Sequence, residues 1–227
     1  MLEVRGLSAA YGKAQVLFDL DFEVHKGEIV VLLGRNGAGK STTLKSILGL
    51  MPSRRGEIRF DGTRIDRLQP FQIAQLGLGY VPEDRRIFTD LSVMENLEVG
   101  RQPPRAGAAR WTPGRLFELF PNLGRMPQRL GARMSGGEQQ MLSIARTLMG
   151  NPRAVLLDEP SEGLAPVIVE QMTRVLLELK REGMAVLLCE QNMRFARGVA
   201  DRACLLTSGR LRRSGTMDEI TAGDLTL

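Results

Sequence analysis

Cysteine is scarce in this chain: only Cys189 and Cys204 occur in 227 residues. Both sit in apolar runs, with no CxxC pair and no metal-ligand spacing. That argues against a disulfide framework or a zinc module, and for buried, reduced thiols in a cytosolic protein. Long hydrophobic runs are also missing. None approaches the roughly 18 residues a membrane helix needs, and Leu2-Glu3-Val4 enters fold-like sequence without a signal-peptide pattern. Work at a membrane would require another chain to supply the span. Histidine is limited to His25, in the turn before Gly27, where a surface turn residue is expected. There is no internal repeat and no coiled-coil heptad. A basic stripe is absent too. The net charge is +5, from 31 Lys and Arg against 26 Asp and Glu. The cations are mostly scattered arginines, with short pairs at Arg54-Arg55, Arg85-Arg86 and Arg212-Arg213, whereas a nucleic-acid reader gathers them along one face. No nucleic-acid partner is expected; the charge reads as a solvated surface with a mild preference for acidic membranes or partners.

What is present suits one large α/β domain: 43% hydrophobic and 25% charged residues can build a packed core. Leu2–Leu7 and Val16–Val24 read as strands joined around Tyr11-Gly12, and Ile29–Leu33 as a buried strand. Met51–Gly56 reads as a loop, Glu57–Phe60 as a strand leading to an Asp61-Gly62 hairpin turn, and Leu76–Val81 as a short strand. Beyond Pro82 the pattern turns helical. Ser92 and Glu95 make a capping box for a helix to about Val99, a second helix spans Arg115–Phe120, and a loop runs on to Met134. The core resumes with strands Ala154–Leu157 and Ala185–Cys189. Between them lies a helix, Pro166–Glu182, with Ile168, Met172, Val175, Leu176 and Leu179 on one stripe and Gly183 ending it. A short helix at Phe195–Val199 and a hairpin over Ala203–Leu206 and Leu211–Arg213 close the chain. Strands alternating with helices imply a parallel-sheet core.

The stretch Gly34-Arg35-Asn36-Gly37-Ala38-Gly39-Lys40-Ser41-Thr42 lies between a buried strand and a helix. That context and the Gly-x4-Gly-Lys-Ser spacing define a phosphate-binding P-loop. Backbone N–H groups and the helix N-terminus form the cradle. Lys40 would meet the β- and γ-phosphates, and the Ser41 hydroxyl would meet Mg²⁺. Asp158-Glu159 ends a later strand. Beside a P-loop, the first acid can hold the same Mg²⁺, and the second can orient the attacking water and accept its proton. Met134-Ser135-Gly136-Gly137-Glu138-Gln139-Gln140 opens a helix whose apolar positions are Met141, Leu142, Ala145, Leu148 and Met149, with Ser135 as its cap.

That last stretch resembles the LSGGQ signature of ATP-binding cassette (ABC) ATPases, and the order of motifs along the whole chain is similar to that family. The resemblance implies a P-loop NTPase fold with an N-terminal antiparallel β subdomain and an inserted helical lobe: about 1–82 and 151–227 as RecA-like core with β subdomain, about 83–150 as signature lobe. It implies ATP and Mg²⁺ as cofactors. Tyr11 would stack on adenine. Ser135, Gly136, Gly137 and Glu138 would meet an ATP held on the P-loop of a second ABC ATPase subunit, and Ser161–Ala165 would cross that interface. More narrowly, Val81-Pro82-Glu83, Arg85-Arg86, Phe88, Met134–Met141, Ile144-Ala145-Arg146, Ser161, Gly163–Pro166 and Glu190-Gln191-Asn192 resemble ATPases of branched-chain amino-acid importers (LivF type), with urea importers as relatives. The implied partners are a second cassette (a heterodimer, with a homodimer as the alternative), two membrane permease subunits and a periplasmic or extracellular solute-binding protein, with this chain peripheral at the cytoplasmic face of the membrane. A membrane-subunit helix would dock beside Glu83, against Arg85, Arg86, Ile87 and Phe88.

Several positions depart from the general ABC pattern. Glu83 replaces the glutamine that reaches the metal, Met134 and Glu138 flank the signature glycines, Gln191 replaces the switch histidine, and Ala165 replaces an aspartate. Gln191 still offers a hydrogen-bond donor but cannot carry charge. With Lys40 and Glu159 it completes the expected catalytic group. These exchanges imply a heterodimer with two unequal ATP sites. An ABC ATPase acting on DNA or ribosomes would need a long coiled coil or two cassettes in one chain, and this sequence has neither. A nucleotide sensor with little hydrolysis is opposed by Glu159.

Overall fold

A computed structural model describes residues 1–222. Its strands are β1 (Leu2–Tyr11), β2 (Ala14–Val24), β3 (Ile29–Leu33), β4 (Ser53–Phe60), β5 (Thr63–Arg64), β6 (Leu78–Val81), β7 (Ala154–Asp158), β8 (Ala185–Glu190), β9 (Arg202–Thr207) and β10 (Arg210–Thr216). Its helices are α1 (Lys40–Ile47), α2 (Pro70–Gln75), α3 (Val93–Gly100), α4 (Pro113–Leu119), α5 (Pro121–Gly124), α6 (Gly136–Leu148), α7 (Pro166–Arg181), α8 (Met193–Val199) and α9 (Met217–Thr221), with a 3₁₀ turn at Gly131–Arg133.

Two sheets result. One is antiparallel, in the order β2-β1-β4-β5; the other runs β10-β9-β3-β8-β7-β6 and is parallel from β9 to β6. Strands β3, β7 and β8 are buried along their whole length, which is why they read as unbroken apolar runs. The two-residue period divides each run between two cores. Ile29, Val31, Leu33, Val155, Leu157, Val186 and Leu188 face a core shared with α3, α6 and α7. Val30, Leu32, Ala154, Leu156, Leu187 and Cys189 face one shared with α1 and the antiparallel sheet. Met172, Val175, Leu176 and Leu179 of α7 are buried, each worth about 1.5–3 kcal/mol. Cys189 and Cys204 are free and buried. Burial pushes the Cys204 thiol up to about 11 and holds that of Cys189 well above its ordinary value, so both are poor nucleophiles.

Register positions the site. Leu33 pairs with Glu190, Asp158 with Cys189, and Val81 with Leu157. The residues that follow β3, β6, β7 and β8 therefore emerge together at one edge, where parallel sheets place ligand sites.

The structure corrects parts of the sequence reading. Residues 53–56 belong to β4 rather than to a loop. Gly56 has φ +111°, and a Cβ there would lie 2.7 Å from the carbonyl oxygens of Arg5 and Gly6. The glycine marks a close approach of two strands, beside an irregularity in the β1–β4 register. β6 starts at Leu78 because α2 occupies 70–75, Leu76 is its C-cap, and Gly77 beyond it turns the chain with φ +101°. The segment before Met134 holds α5 and the 3₁₀ turn, and α9 follows the last hairpin. The Asp61-Gly62 turn is as expected, with both φ values positive as a two-residue hairpin requires.

Gly56→Ala should lower stability by about 1–3 kcal/mol through overpacking as well as strain. Gly62→Ala, which meets nothing within 4 Å, should cost about 1 kcal/mol for the left-handed backbone alone. Urea denaturation of the two variants checks the order; equal losses would contradict the close-approach explanation.

Candidate active site

The loop from Gly34 to Gly39 turns directly out of β3. A Cβ on Gly34 would stand 2.5 Å from the Leu206 carbonyl oxygen, so only glycine fits. Gly37 and Gly39 adopt φ +81° and +109°, which leaves backbone N–H groups free to turn inward at the start of α1. Arg35, Asn36 and Gly37 are exposed, while Ala38, Gly39, Lys40 and Thr42 are buried.

Lys40 bends back over this loop. Its Nζ donates to the carbonyls of Gly34 (2.8 Å) and Arg35 (3.2 Å) and lies 2.9 Å from Glu159 Oε1, the two side chains being only 3% and 6% exposed. A buried charge is tolerable only with such partners. Glu159 is reached through a strained turn: its φ is +46°, and its N–H is held by the Cys189 carbonyl at 3.0 Å. Gln191 Nε2 approaches the other oxygen, Oε2, at 3.4 Å.

Beside this pair, Ser41 Oγ donates to Asp158 Oδ1 at 2.9 Å, and the Tyr80 hydroxyl donates to Oδ2 at 3.2 Å. Burial raises the Asp158 carboxyl above the usual range, the two hydrogen bonds pull it back, and the charges of Glu83 and Glu159 raise it again. Burial, and then Asp158, hold the Tyr80 phenol well above its ordinary value, so it stays a donor. Glu83 is exposed at the start of the loop after β6. No cluster of three or more His, Cys, Asp or Glu able to hold a metal occurs among the described residues.

The structure thus brings together Gly34, Arg35, Lys40, Ser41, Asp158, Glu159 and Gln191. It does not bring the signature stretch to them. Ser135 caps α6, its N–H donates to Glu138 Oε2 (2.7 Å), and the Glu138 N–H donates to Ser135 Oγ (3.4 Å). Glu138 therefore closes a capping box, which accounts locally for a glutamate at that position. Gly136 lies against the Arg85 guanidinium and Gly137 against Ile168. Tyr11 ends β1, 49% exposed, with its ring free to stack. His25 is an exposed turn residue 3.4 Å from Glu23, far in role from Gln191. One contributor, Tyr80, and one backbone feature escaped the sequence reading. Tyr80 was hidden inside a short strand, its one signal being a polar aromatic two residues before Pro82. Arg85 and Arg86 both take left-handed φ, +62° and +50°, which no residue type announces.

A glycine-walled cradle, a buried lysine and two acids at the edge of a parallel sheet define a P-loop nucleotide hydrolase. The ABC transporter family profile matches residues 17–162. The chain is 44% identical to the high-affinity branched-chain amino acid transport ATP-binding protein BraG of Pseudomonas aeruginosa, over 93% of this chain and 91% of that one. It is 36% identical to the lipopolysaccharide export system ATP-binding protein LptB of Escherichia coli, over 96% and 92%. A solved structure of an ATP-binding subunit of an ABC transporter superposes with a TM-score of 0.84 at 33% identity, covering 98% of this chain and 92% of that one. The chain belongs to the ABC transporter family, as an ATP-binding subunit that hydrolyses ATP.

Lys40→Met should leave Glu159 buried without its cation and cost about 3–5 kcal/mol. Adding Glu159→Gln should recover part of that loss. A double-mutant cycle by urea denaturation checks it, and strictly additive losses would mean that the two side chains are not coupled.

Proposed function

We propose that the chain powers an importer of branched-chain amino acids. The observation that carries this is its 44% identity, across nearly the full length of both chains, to a protein named for that transport. In this reading it pairs with a second, different cassette, a homodimer being the alternative. Each ATP lies between the P-loop of one subunit and Ser135–Gly137 of the other, with Ser161–Ala165 at the crossing. Residues 83–150 act as the lobe that carries the signature helix. Two permease subunits and a periplasmic or extracellular solute-binding protein complete the system, with this chain at the cytoplasmic face. Among the described residues no helix is long and apolar enough to cross a membrane, so the permeases supply the span.

A docking groove supports the permease reading. Leu50, Phe71, Phe88 and Val99 are exposed apolar side chains, and all four line one cleft of about 680 Å³, together with Arg86 and Arg146. Apolar surface gathered this way marks a binding face, of the kind that takes a helix laid in a groove; of the four residues expected to meet that helix, Arg86 and Phe88 line it and Arg85 and Ile87 do not. The Arg85 carbonyl accepts from Ser143 Oγ at 2.7 Å, so a load on this loop reaches α6, whose N-terminus carries the signature.

In the mechanism, backbone N–H groups of residues 37–42 and the N-terminus of α1 receive the phosphates, and Tyr11 stacks on the base. Lys40 exchanges Glu159 for a phosphate oxygen, freeing the carboxylate to orient a water and take its proton. Gln191 keeps Glu159 aimed and donates toward the γ-phosphate. For the metal, the donors at hand are oxygens: the Ser41 hydroxyl, the Asp158 carboxylate and Glu83. A hard oxygen set without a full protein cage fits Mg²⁺, which keeps waters and takes phosphate ligands. The mutual charge of Asp158, Glu83 and Glu159 is what such a cation would relieve. Bound there, it would neutralise phosphate charge.

Glu159→Gln should lower hydrolysis about 10²–10³-fold while nucleotide still binds, by analogy with losing one well-placed catalytic group. In the assembled complex, single-turnover hydrolysis should be unequal at the two sites; equal rates would sink the asymmetric reading.

The 36% identity to LptB favours an exporter as the second reading. Deleting the coding region and following labelled leucine and labelled urea separates the possibilities. Loss of leucine uptake is expected. Unchanged leucine uptake in a strain without a duplicate system would overturn the importer assignment, and a lipopolysaccharide export defect in that strain would support the second.

A further inference from the structure

The last residue of β8, Glu190, touches three of the four loops that converge on the site, those after β3, β7 and β8. Its side chain is 1% exposed. Oε1 accepts from the Ser161 N–H at 3.0 Å, and Oε2 accepts from the Asn192 N–H at 3.2 Å. Its own carbonyl accepts from the Gly34 N–H at 3.4 Å. A second bridge runs alongside, from Asn192 Nδ2 to Ser161 Oγ at 3.5 Å, while Asn192 Oδ1 caps α8 by accepting from Phe195 N–H at 3.2 Å. One carboxylate therefore joins the loop after β7 to the loop after β8, between Glu159 on one side and Gln191 on the other.

A buried carboxylate is costly, and fold stability alone does not require one here, because a neutral side chain or water could satisfy two N–H groups. What a carboxylate offers is two acceptors in one rigid plane, with no donor to turn the wrong way. We propose that Glu190 is a positioning residue for hydrolysis. It locks the crossing loop that starts at Ser161 to the Gln191 loop, so that Glu159 and Gln191 are aimed only when the crossing loop is seated. In this role Glu190 acts on the backbone N–H groups of Ser161 and Asn192, and through them on Glu159 and Gln191. The inference rests on the catalytic roles proposed above for Glu159 and Gln191.

The isosteric variant Glu190→Gln tests it. One oxygen becomes an NH₂ that faces an N–H donor, so one of the two loops is released. In the assembled complex carrying the full-length chain, MgATP affinity, read with a fluorescent ATP analogue, should change less than threefold. The hydrolytic kcat should fall at least 30-fold with KM within threefold. Gln191→Ala should lower kcat in the parent but less than twofold further in the Glu190→Gln background. A purely structural role would instead lower melting temperature and binding together. A kcat within twofold of the parent, or losses from Glu190→Gln and Gln191→Ala that multiply, would overturn the proposal. If Glu190→Gln does not fold, Glu190→Asp, too short to reach both N–H groups, is read in the same assays against the same thresholds. The Glu159→Gln control separates this idea from the reading beneath it. Undiminished hydrolysis in that control overturns the catalytic assignment and Glu190's role with it. Normal Glu190→Gln turnover beside an inactive Glu159→Gln overturns only the role of Glu190.

Discussion

An ammonium group buried to 3% exposure needs compensation from its surroundings, and much of this architecture can be traced to how Lys40 obtains it. Two carbonyls of its own loop supply part. The charge itself is met by Glu159, far away in sequence. That carboxylate can arrive only if β7 ends level with β3, with β8 between them, and the register of five consecutive β3–β8 pairs and five β7–β8 pairs delivers this. A one-residue slip would reverse the faces of each strand and carry Glu159 away from Lys40. Core packing and charge neutralisation therefore select the same register.

The same sheet explains why the edge is both rigid and responsive. Strands β3, β7 and β8 are covered on both faces, so their ends move little relative to one another. The loops leaving β6 and β7 carry strain, with left-handed φ at Arg85 and Arg86 in the first and at Glu159 in the second. Strain held on a rigid frame is a usual way of keeping reactive groups aimed. The loop after β6 faces two ways, toward Asp158 through the charge of Glu83 and toward α6 through Ser143 and Arg146. It is the direct material link in the chain between the acids and the apolar groove.

Legibility in the sequence followed locality. Strands buried on both faces read as apolar runs, and Ser92 and Ser135 announced their helices because a capping box is written in four consecutive residues. The P-loop was legible for the same reason. Gly56 misled because glycine signals a loop by default, whereas here it admits the backbone of Arg5 and Gly6. Helices α2 and α5 begin at prolines and span only a turn or so, too short for periodicity to register. The residue types of the site were readable, but their pairings were not. Nothing local says that Lys40 closes on Glu159, that Tyr80 donates to Asp158, or that Glu190 reaches Ser161, because each pairing depends on strand order.

The exchanges at Glu83 and Gln191 act in one electrostatic direction. A carboxylate where the family pattern has an amide adds negative charge, and an amide where it has an imidazole removes a group able to carry positive charge. Lys40 is already shared with Glu159, while Asp158, buried and flanked by Glu83 and Glu159, is held above the usual carboxylate range. An incoming triphosphate would find Lys40, the N-terminus of α1 and the backbone N–H groups favourable, and the acids opposed to it. In the proposed mechanism the cation that meets those acids arrives with the phosphates, as Mg²⁺ commonly does. In this chain, more than in one with glutamine and histidine at those positions, the divalent cation would be what makes the phosphate cradle and the row of acids electrostatically compatible.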